Sequence, residues 1–447
     1  MAYDVLRTML ALLEVFRPAL TKPGFANLQV VFAGWVRTSG PHAITQALVE
    51  TSVAGRRHHE AYHRFFSRGT WNPDELSRLL FGWLLRSLPT ATTIRIVLDD
   101  TVAPKKGRQI FGLGTHLDAV RSTKKHRIFV FGHCWVVLAV LVRVPFSERA
   151  WALPLLLRLY RNEKECLKKG IPHRKKTVLA REMVDLFVSW LGERRVELAA
   201  DSAYCNDTVL RDLSPSVIVF GAMRPDAVLT APTVRRLPSP KGGRPRIRGA
   251  LLPKPQRLAA DARVPWQKTT LRLYGRQRTI SYKTLVAQWY RPCGSRRLRI
   301  VVVQAESEIR VYFSTDPTLC VEQVLQGYAG RWNIEVCFRE LKQSLGFADS
   351  SARKRAAVER MAPFVALIYS TLVIWCAQGA YRTTLARPPV RPWYRHKRGL
   401  SFADVLRTAQ RALAPLDVLD PGHSLANLRK RSTRAPASSR LAVRIAA

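Results

Sequence analysis

Gly327-Tyr-Ala-Gly-Arg-Trp-Asn-Ile-Glu-Val-Cys-Phe-Arg-Glu-Leu-Lys-Gln-Ser-Leu-Gly346 is the stretch whose reading decides the fold. At about 100° per residue, a helix through it gathers Tyr328, Arg331, Glu335, Arg339 and Lys342 within roughly 80° of arc. Trp332, Ile334, Phe338, Leu341 and Leu345 are left to the other faces, where burial is expected. One carboxylate thus stands among four groups that suit phosphate. A solvated face with Arg331 and Arg339 as ordinary i,i+4 partners of Glu335 would give the same pattern, so the rest of the chain has to decide.

Composition narrows the choice. With 447 residues, 47% of them hydrophobic, and 11 Trp, the chain can bury a large core and is expected to form two or three compact units. Against 32 Asp and Glu it carries 73 Lys and Arg, a net charge of +41. Such a field repels itself unless a polyanion neutralises it. Nucleic acid fits best, because each contacted phosphate releases counterions, and an anionic membrane surface comes second. The seven cysteines are scattered, with no C-x-x-C pair and no histidine at zinc-finger spacing, and read as reduced thiols. The opening MAYDVLRTMLALLEVFRP has an acid where an export signal needs basic charge and lacks a small-residue cleavage site. Ala362 to Ala377 is apolar but runs only 16 residues, short of the ~20 that span hydrocarbon. It reads as a buried helix, and no membrane partner is expected.

Residues 1–90 read as helical, with Asn72 as N-cap, Pro73 at the first helical position and acids in the first turn before Leu76, Leu79, Leu80, Trp83 and Leu84. From Thr93 the period changes to two, and Ile94, Ile96 and Leu98 predict a strand ending in Asp99-Asp100-Thr101. After a Gly-rich connection, Arg127 to Arg143 is rich in β-branched and aromatic residues, as central strands are. A helix over Thr177 to Leu191 leads to a short apolar strand carrying Asp201, and Val217 to Phe220 reads as another strand. From Pro225 to Arg297 the alternation breaks into Pro, Gly, basic residues and short strand-like pieces, a β-rich insertion. Leu298 to Val303 and Arg310 to Ser314 are strands leading back to the opening stretch. The chain therefore divides as 1–90 helical, 91–224 first part of an α/β core, 225–297 insertion, 298–350 second part of the core, 351–422 helical, and 423–447 a basic tail expected to be disordered.

Asp99 and Asp201 at strand ends and Glu335 on a later helix are three acids from three distant segments. Were they to converge they would repel, so the cluster requires cations. Mg²⁺ or Mn²⁺ answers that need, since hard divalent ions take carboxylate oxygens and keep positions open for water and phosphate. Two ions about 4 Å apart could activate a water or a 3′-hydroxyl for in-line attack on a phosphodiester. Taken singly, Asp99 is also a turn residue and Asp201 with Ser202 also a helix cap. Arg331 and Lys342 would hold phosphate oxygens, with Tyr328 and Arg339 beside them. In the insertion, Lys241-Gly-Gly-Arg-Pro-Arg-Ile-Arg-Gly249 resembles a minor-groove loop, with Arg244 and Arg246 as the inserted side chains.

Tyr328, Arg331, Glu335 and Lys342 match without a gap the Y-x2-R-x3-E-x6-K signature of DDE transposases of bacterial insertion sequences. Leu98-Asp-Asp-Thr101 and Ala200-Asp-Ser-Ala-Tyr204 resemble that group's first and second acidic motifs, although Ser202 and Ala203 stand where the group usually has Arg and Gly. The resemblance spans roughly residues 90–350. It implies an RNase H-like mixed-sheet catalytic core with a β-rich insertion, flanked by a helical N-terminal DNA-binding region and a helical C-terminal region. It implies Asp99, Asp201 and Glu335 as ligands of two Mg²⁺ or Mn²⁺ ions, Asp100 being the alternative first ligand. It further implies cleavage and transfer of double-stranded DNA at terminal inverted repeats, a homodimer on paired ends, a cytoplasmic and nucleoid-associated protein, and Trp266 or Trp289 as a stack for an exposed base. A catalytically inactive DNA-binding derivative is the alternative.

Overall fold

The computed structural model describes residues 2–86, 88–89, 92–107, 109–118, 121–123, 125–232, 248–305, 308–389, 392–393, 397–414 and 444–445. Arg244 and Arg246, and nearly all of the basic tail, lie outside them. Five helices open the chain: α1 (Ala2–Leu13), α2 (Lys22–Arg37), α3 (Ile44–Glu50), α4 (Glu60–Ser67) and α5 (Pro73–Arg86). Then come β1 (Ile94–Pro104), β2 (Gly114–Leu117), β3 (Phe129–Arg143), β4 (Trp151–Tyr160), α6 (Glu163–Lys168), α7 (Lys176–Ser189), β5 (Val196–Ala200), α8 (Asp207–Leu210) and β6 (Val217–Met223). The second half runs α9 (Pro255–Ala260), β7 (Gln267–Leu273), β8 (Arg276–Gln288), α10 (Tyr290–Cys293), β9 (Arg297–Gln304), β10 (Ile309–Ser314), α11 (Val321–Ala329) and α12 (Trp332–Ser344). The final elements are α13 (Arg355–Gln378), α14 (Phe402–Leu413) and β11 (Arg444–Ile445).

The chain forms two compact units. One comprises Met1–Thr90, Asp100–Arg174 and Glu335–Ala446; the other comprises Ala91–Asp99 and Lys175–Ile334.

In the first unit α13 is the core. Phe364, Ile368, Leu372 and Trp375 are all buried, and 94% of its most apolar 18-residue window is covered by protein. Among the described residues it is the one helix long and apolar enough to cross a membrane. It extends the expected buried helix seven residues towards the N-terminus, because Arg355 and Glu359 keep that first turn polar while Ala357, Val358 and Met361 already face inwards. Ser370 Oγ donates to the Pro154 carbonyl of β4 at 3.0 Å, Trp375 Nε1 to the Val5 carbonyl of α1 at 3.2 Å, and the Phe66 and Phe364 rings meet edge to face. Side chains buried this way contribute about 1.5–3 kcal/mol each. A bidentate Arg158–Asp74 pair, at 2.6 and 2.9 Å, ties β4 to α5.

β4 has no counterpart in the sequence reading. Its pairing along β3 carries a register shift at Leu138/Ala139, opposite Pro154, where an edge strand tolerates a residue without N–H. β2, also unexpected, pairs with the start of β3 as a hairpin arm, Leu117 opposite Phe129 and Thr115 opposite Phe131. β1 does not stop at Thr101 but runs to Pro104, its second half lying along β3; a Cβ at Gly132 would strike the Ala103 carbonyl.

In the second unit the strand order is β1-β5-β6-β10-β9-β8-β7. β5 is parallel to β1 and β6, while β10, β9, β8 and β7 follow as an antiparallel run. The strands expected in an insertion therefore continue the same sheet. Their apolar face, Leu271, Leu273, Val301 and Val303, packs on Val321, Val324 and Leu325 of α11. Cys320 starts that helix as a capping box with Gln323 and is the one exposed cysteine. α11 rests close on β6, since a Cβ at Gly327 would overlap the Phe220 ring. A long mixed sheet with helical regions at both ends of the chain is the expected α/β, RNase H-like architecture.

Candidate active site

The single helix expected over 327–346 is two. α11 ends at Ala329, and α12 begins at Trp332. Gly330 and Arg331 form the joint, where Asn333 donates its backbone N–H and its Nδ2 to the Gly330 carbonyl at 3.2 and 2.9 Å. Two donors on one carbonyl satisfy the terminal group of α11 and start α12. Tyr328 and Arg331 consequently belong to the second unit, whereas Glu335, Arg339 and Lys342 belong to the first. The apolar positions of α12 are buried as expected, save one: Trp332 is 52% exposed, its ring edge-on to Tyr274 at 6.2 Å. The i,i+3 and i,i+4 spacing could not show this, because Trp332 stands at the joint rather than within a continuous helix.

In the second unit the parallel register pairs Leu98 with Ala200. Asp99 and Asp201 are the next residues of adjacent strands, a spacing of about 4.8 Å. Arg331 Nη1 donates to Asp99 Oδ2 at 2.5 Å, and the two side chains are only 14% and 15% exposed. Asp201 accepts from the backbone N–H of Ser202 and, at 3.1 Å, from its hydroxyl. It caps no helix: Asn206 caps α8 instead, accepting from Val209 N at 3.3 Å. Tyr328 stacks at a tilt on Tyr312, 4.8 Å between centroids. Burial pushes its hydroxyl up to about 12, with Arg331 pulling the other way and Asp201 adding to the rise. The same two charges reach Cys205, whose thiol burial raises far above the usual range. Tyr312 and Cys205 were not foreseen; both are side chains of a strand and a turn that only the sheet order brings to the acids.

In the first unit, Asp100 accepts from Cys134 Sγ at 3.5 Å. Neighbours on one strand face opposite sides of a sheet, which is why Asp99 and Asp100 have different partners. Glu335 is half-buried on α12, and Arg339 is exposed with Nη2 3.6 Å from Glu340. Lys342 is exposed on the same helix, and the protein packed around it pushes its pKa down, with the Asp118 charge opposing the shift. Of the two tryptophans considered for base stacking, Trp266 carries the Lys283 ammonium 4.7 Å over its ring, and Trp289 packs edge-on against Phe313 at 5.6 Å.

Among the described residues, no three His, Cys, Asp or Glu side chains gather as metal ligands. Within the second unit the Arg331 guanidinium neutralises Asp99. The donor chemistry nonetheless suits a hard divalent ion, with two carboxylates on neighbouring strand ends.

Adjacent acids at the carboxyl ends of parallel strands, an arginine on one of them, and a strongly basic chain are what a phosphodiester-cutting enzyme of RNase H-like architecture needs. The chain belongs to the DDE superfamily endonucleases, whose family model matches residues 37–279, over half of its length. Residues 293–385 match a second model, described as archaeal putative transposase ISC1217. It is a DDE transposase of the insertion-sequence type, a nuclease, and enzymes of this superfamily use divalent metal ions. No curated protein matches the chain.

Proposed function

We propose that the protein binds the terminal inverted repeats of its insertion sequence, cuts the double-stranded ends and joins them to target DNA. The observation that carries this is the register of β1 and β5, which sets Asp99 beside Asp201 with Arg331 on Asp99. Asp99, Asp201 and Glu335 would hold Mg²⁺ or Mn²⁺, Asp99 being preferred to the alternative Asp100 because the strand register sets it level with Asp201. When bound, such ions polarise phosphate oxygens and lower the pKa of a coordinated water.

The protein's own groups supply position and charge. Arg331 offers a planar fork that can grip two phosphate oxygens, and Lys342 offers a point charge. Tyr328 stays protonated throughout the physiological range and can donate its hydroxyl to a phosphate. Arg339 on its exposed face would meet the DNA backbone, as would Arg244 and Arg246. Two copies on paired ends would form the working assembly, in the cytoplasm.

The test is nicking of DNA that carries the element's ends, in Mg²⁺. Asp99→Ala, Asp201→Ala and Glu335→Ala should each abolish cleavage while end binding is kept, and Asp100→Ala should cleave. Undiminished cleavage in any of the first three would falsify its assignment. Binding of ends without cleavage by the unmodified protein would favour the inactive derivative to which Ser202 and Ala203 point.

A further inference from the structure

The hairpin arm of β2 and β3, in the first unit, exposes an apolar face where a solvated sheet would carry polar residues. Leu117, Phe129 and Phe131 are 46%, 59% and 45% exposed, while His116 on the other face is buried. Phe131 also lines a cleft of about 1040 Å³ whose walls carry Lys105, Lys106 and Arg353. Among the described residues the cleft's one acid, Asp349, accepts from the His42 backbone N–H at 2.9 Å. Three cations against one engaged carboxylate favour an anionic occupant. Lys105 donates to the Ser350 carbonyl, and burial lowers its pKa to about 8, with Asp349 opposing the shift. A phosphate placed there would raise that pKa again, so binding an anion is favoured.

The rings say which polyanion. Phe129 and Phe131, two residues apart on one strand face, stand about 6.6 Å apart, room for one base of roughly 3.4 Å thickness. Duplex DNA keeps its bases stacked on each other, whereas a single strand can offer them to aromatic side chains above a basic track.

We propose that the cleft and the hairpin face form a single-stranded DNA track, with phosphates on Lys105, Lys106 and Arg353 and bases on Phe129 and Phe131. This rests on the reading of the chain as a DNA transposase, and extends it to a strand that is unpaired during the reaction. The test is fluorescence anisotropy of the full chain in EDTA with a labelled oligo-dT and, separately, a labelled duplex. Replacing Phe129→Ser and Phe131→Ser together should weaken oligo-dT binding at least about tenfold and leave duplex binding within about twofold. Phe129→Tyr with Phe131→Tyr should retain oligo-dT binding, and Lys106→Ala with Arg353→Ala should weaken it and flatten its salt dependence. Equal losses on both DNAs, or no loss on oligo-dT, overturn the proposal. So does a serine variant that binds oligo-dT normally but sediments as a smaller species, since the face would then join copies of the chain. The nicking assay separates the two readings: an unmodified protein that never cuts end-bearing DNA defeats the assignment of the acids, while the oligo-dT comparison alone defeats the track.

Discussion

Arg331 is the residue on which the second unit's polar cluster depends. Its guanidinium sits against Asp99 with both side chains largely covered, so removing it strands a carboxylate beside a second one. Breaking such a pair costs about 3 kcal/mol, and Arg331→Ala should lose stability of that order in urea unfolding. Added Mg²⁺ should restore part of the loss in that variant and less in Asp99→Ala/Arg331→Ala, a readout independent of catalysis. An equal response to Mg²⁺ in both would remove Asp99 from the ion's ligands. Arg331→Lys keeps the charge but not the fork, and should preserve folding better than cleavage.

At the scale of elements, α14 shows how buried charge is made safe. Burial alone would raise the pKa of Asp404, but hydrogen bonds from Lys397 and from the Ser401 side chain and backbone outweigh it and lower the value to about 2. The carboxylate closes the capping box of α14 and also takes Arg407 at 3.0 Å. A folded pKa below the unfolded value of about 3.9 means a stabilisation present above pH 4 and lost as pH falls through 2. Asp404→Asn should therefore cost about 3 kcal/mol at pH 7, with the gap from the unmodified protein closing between pH 4 and 2 in denaturant titrations. A gap independent of pH would show that the ionised form is not what matters.

The elements also show what the sequence could reveal. β1 and β5 were legible because period-two runs of Ile, Val and Leu stop at an acid, and that acid's place follows from the strand. The break between α11 and α12 was not, because Gly330 and Arg331 fit a helical period as well as they fit a joint. The break is marked by one tertiary approach, Gly327 against Phe220, and one local bond, the Asn333 side chain on the Gly330 carbonyl. β4 escaped because a continuous apolar run holding Pro154 does not distinguish strand from helix until β3 is there to pair with it. Trp332 was assigned to the interior by its residue type, and only its position at the joint leaves it in solvent.

Across the whole molecule the excess of 41 positive charges governs association more than folding. A protein covering 6–10 phosphates loses about 10³–10⁵ in affinity between 50 and 200 mM salt, and duplex binding should fall by that order whether or not the repeats are present. End-bearing duplex should keep an advantage that salt does not erase; equal affinity for random duplex at high salt would show that no sequence is read. The capping thiol of α11 opens a way to watch such binding. Six of the seven cysteines are buried, so a maleimide dye would attach at Cys320 alone. It would ride on the helix that carries Tyr328, giving an optical signal for DNA arrival without an engineered mutation.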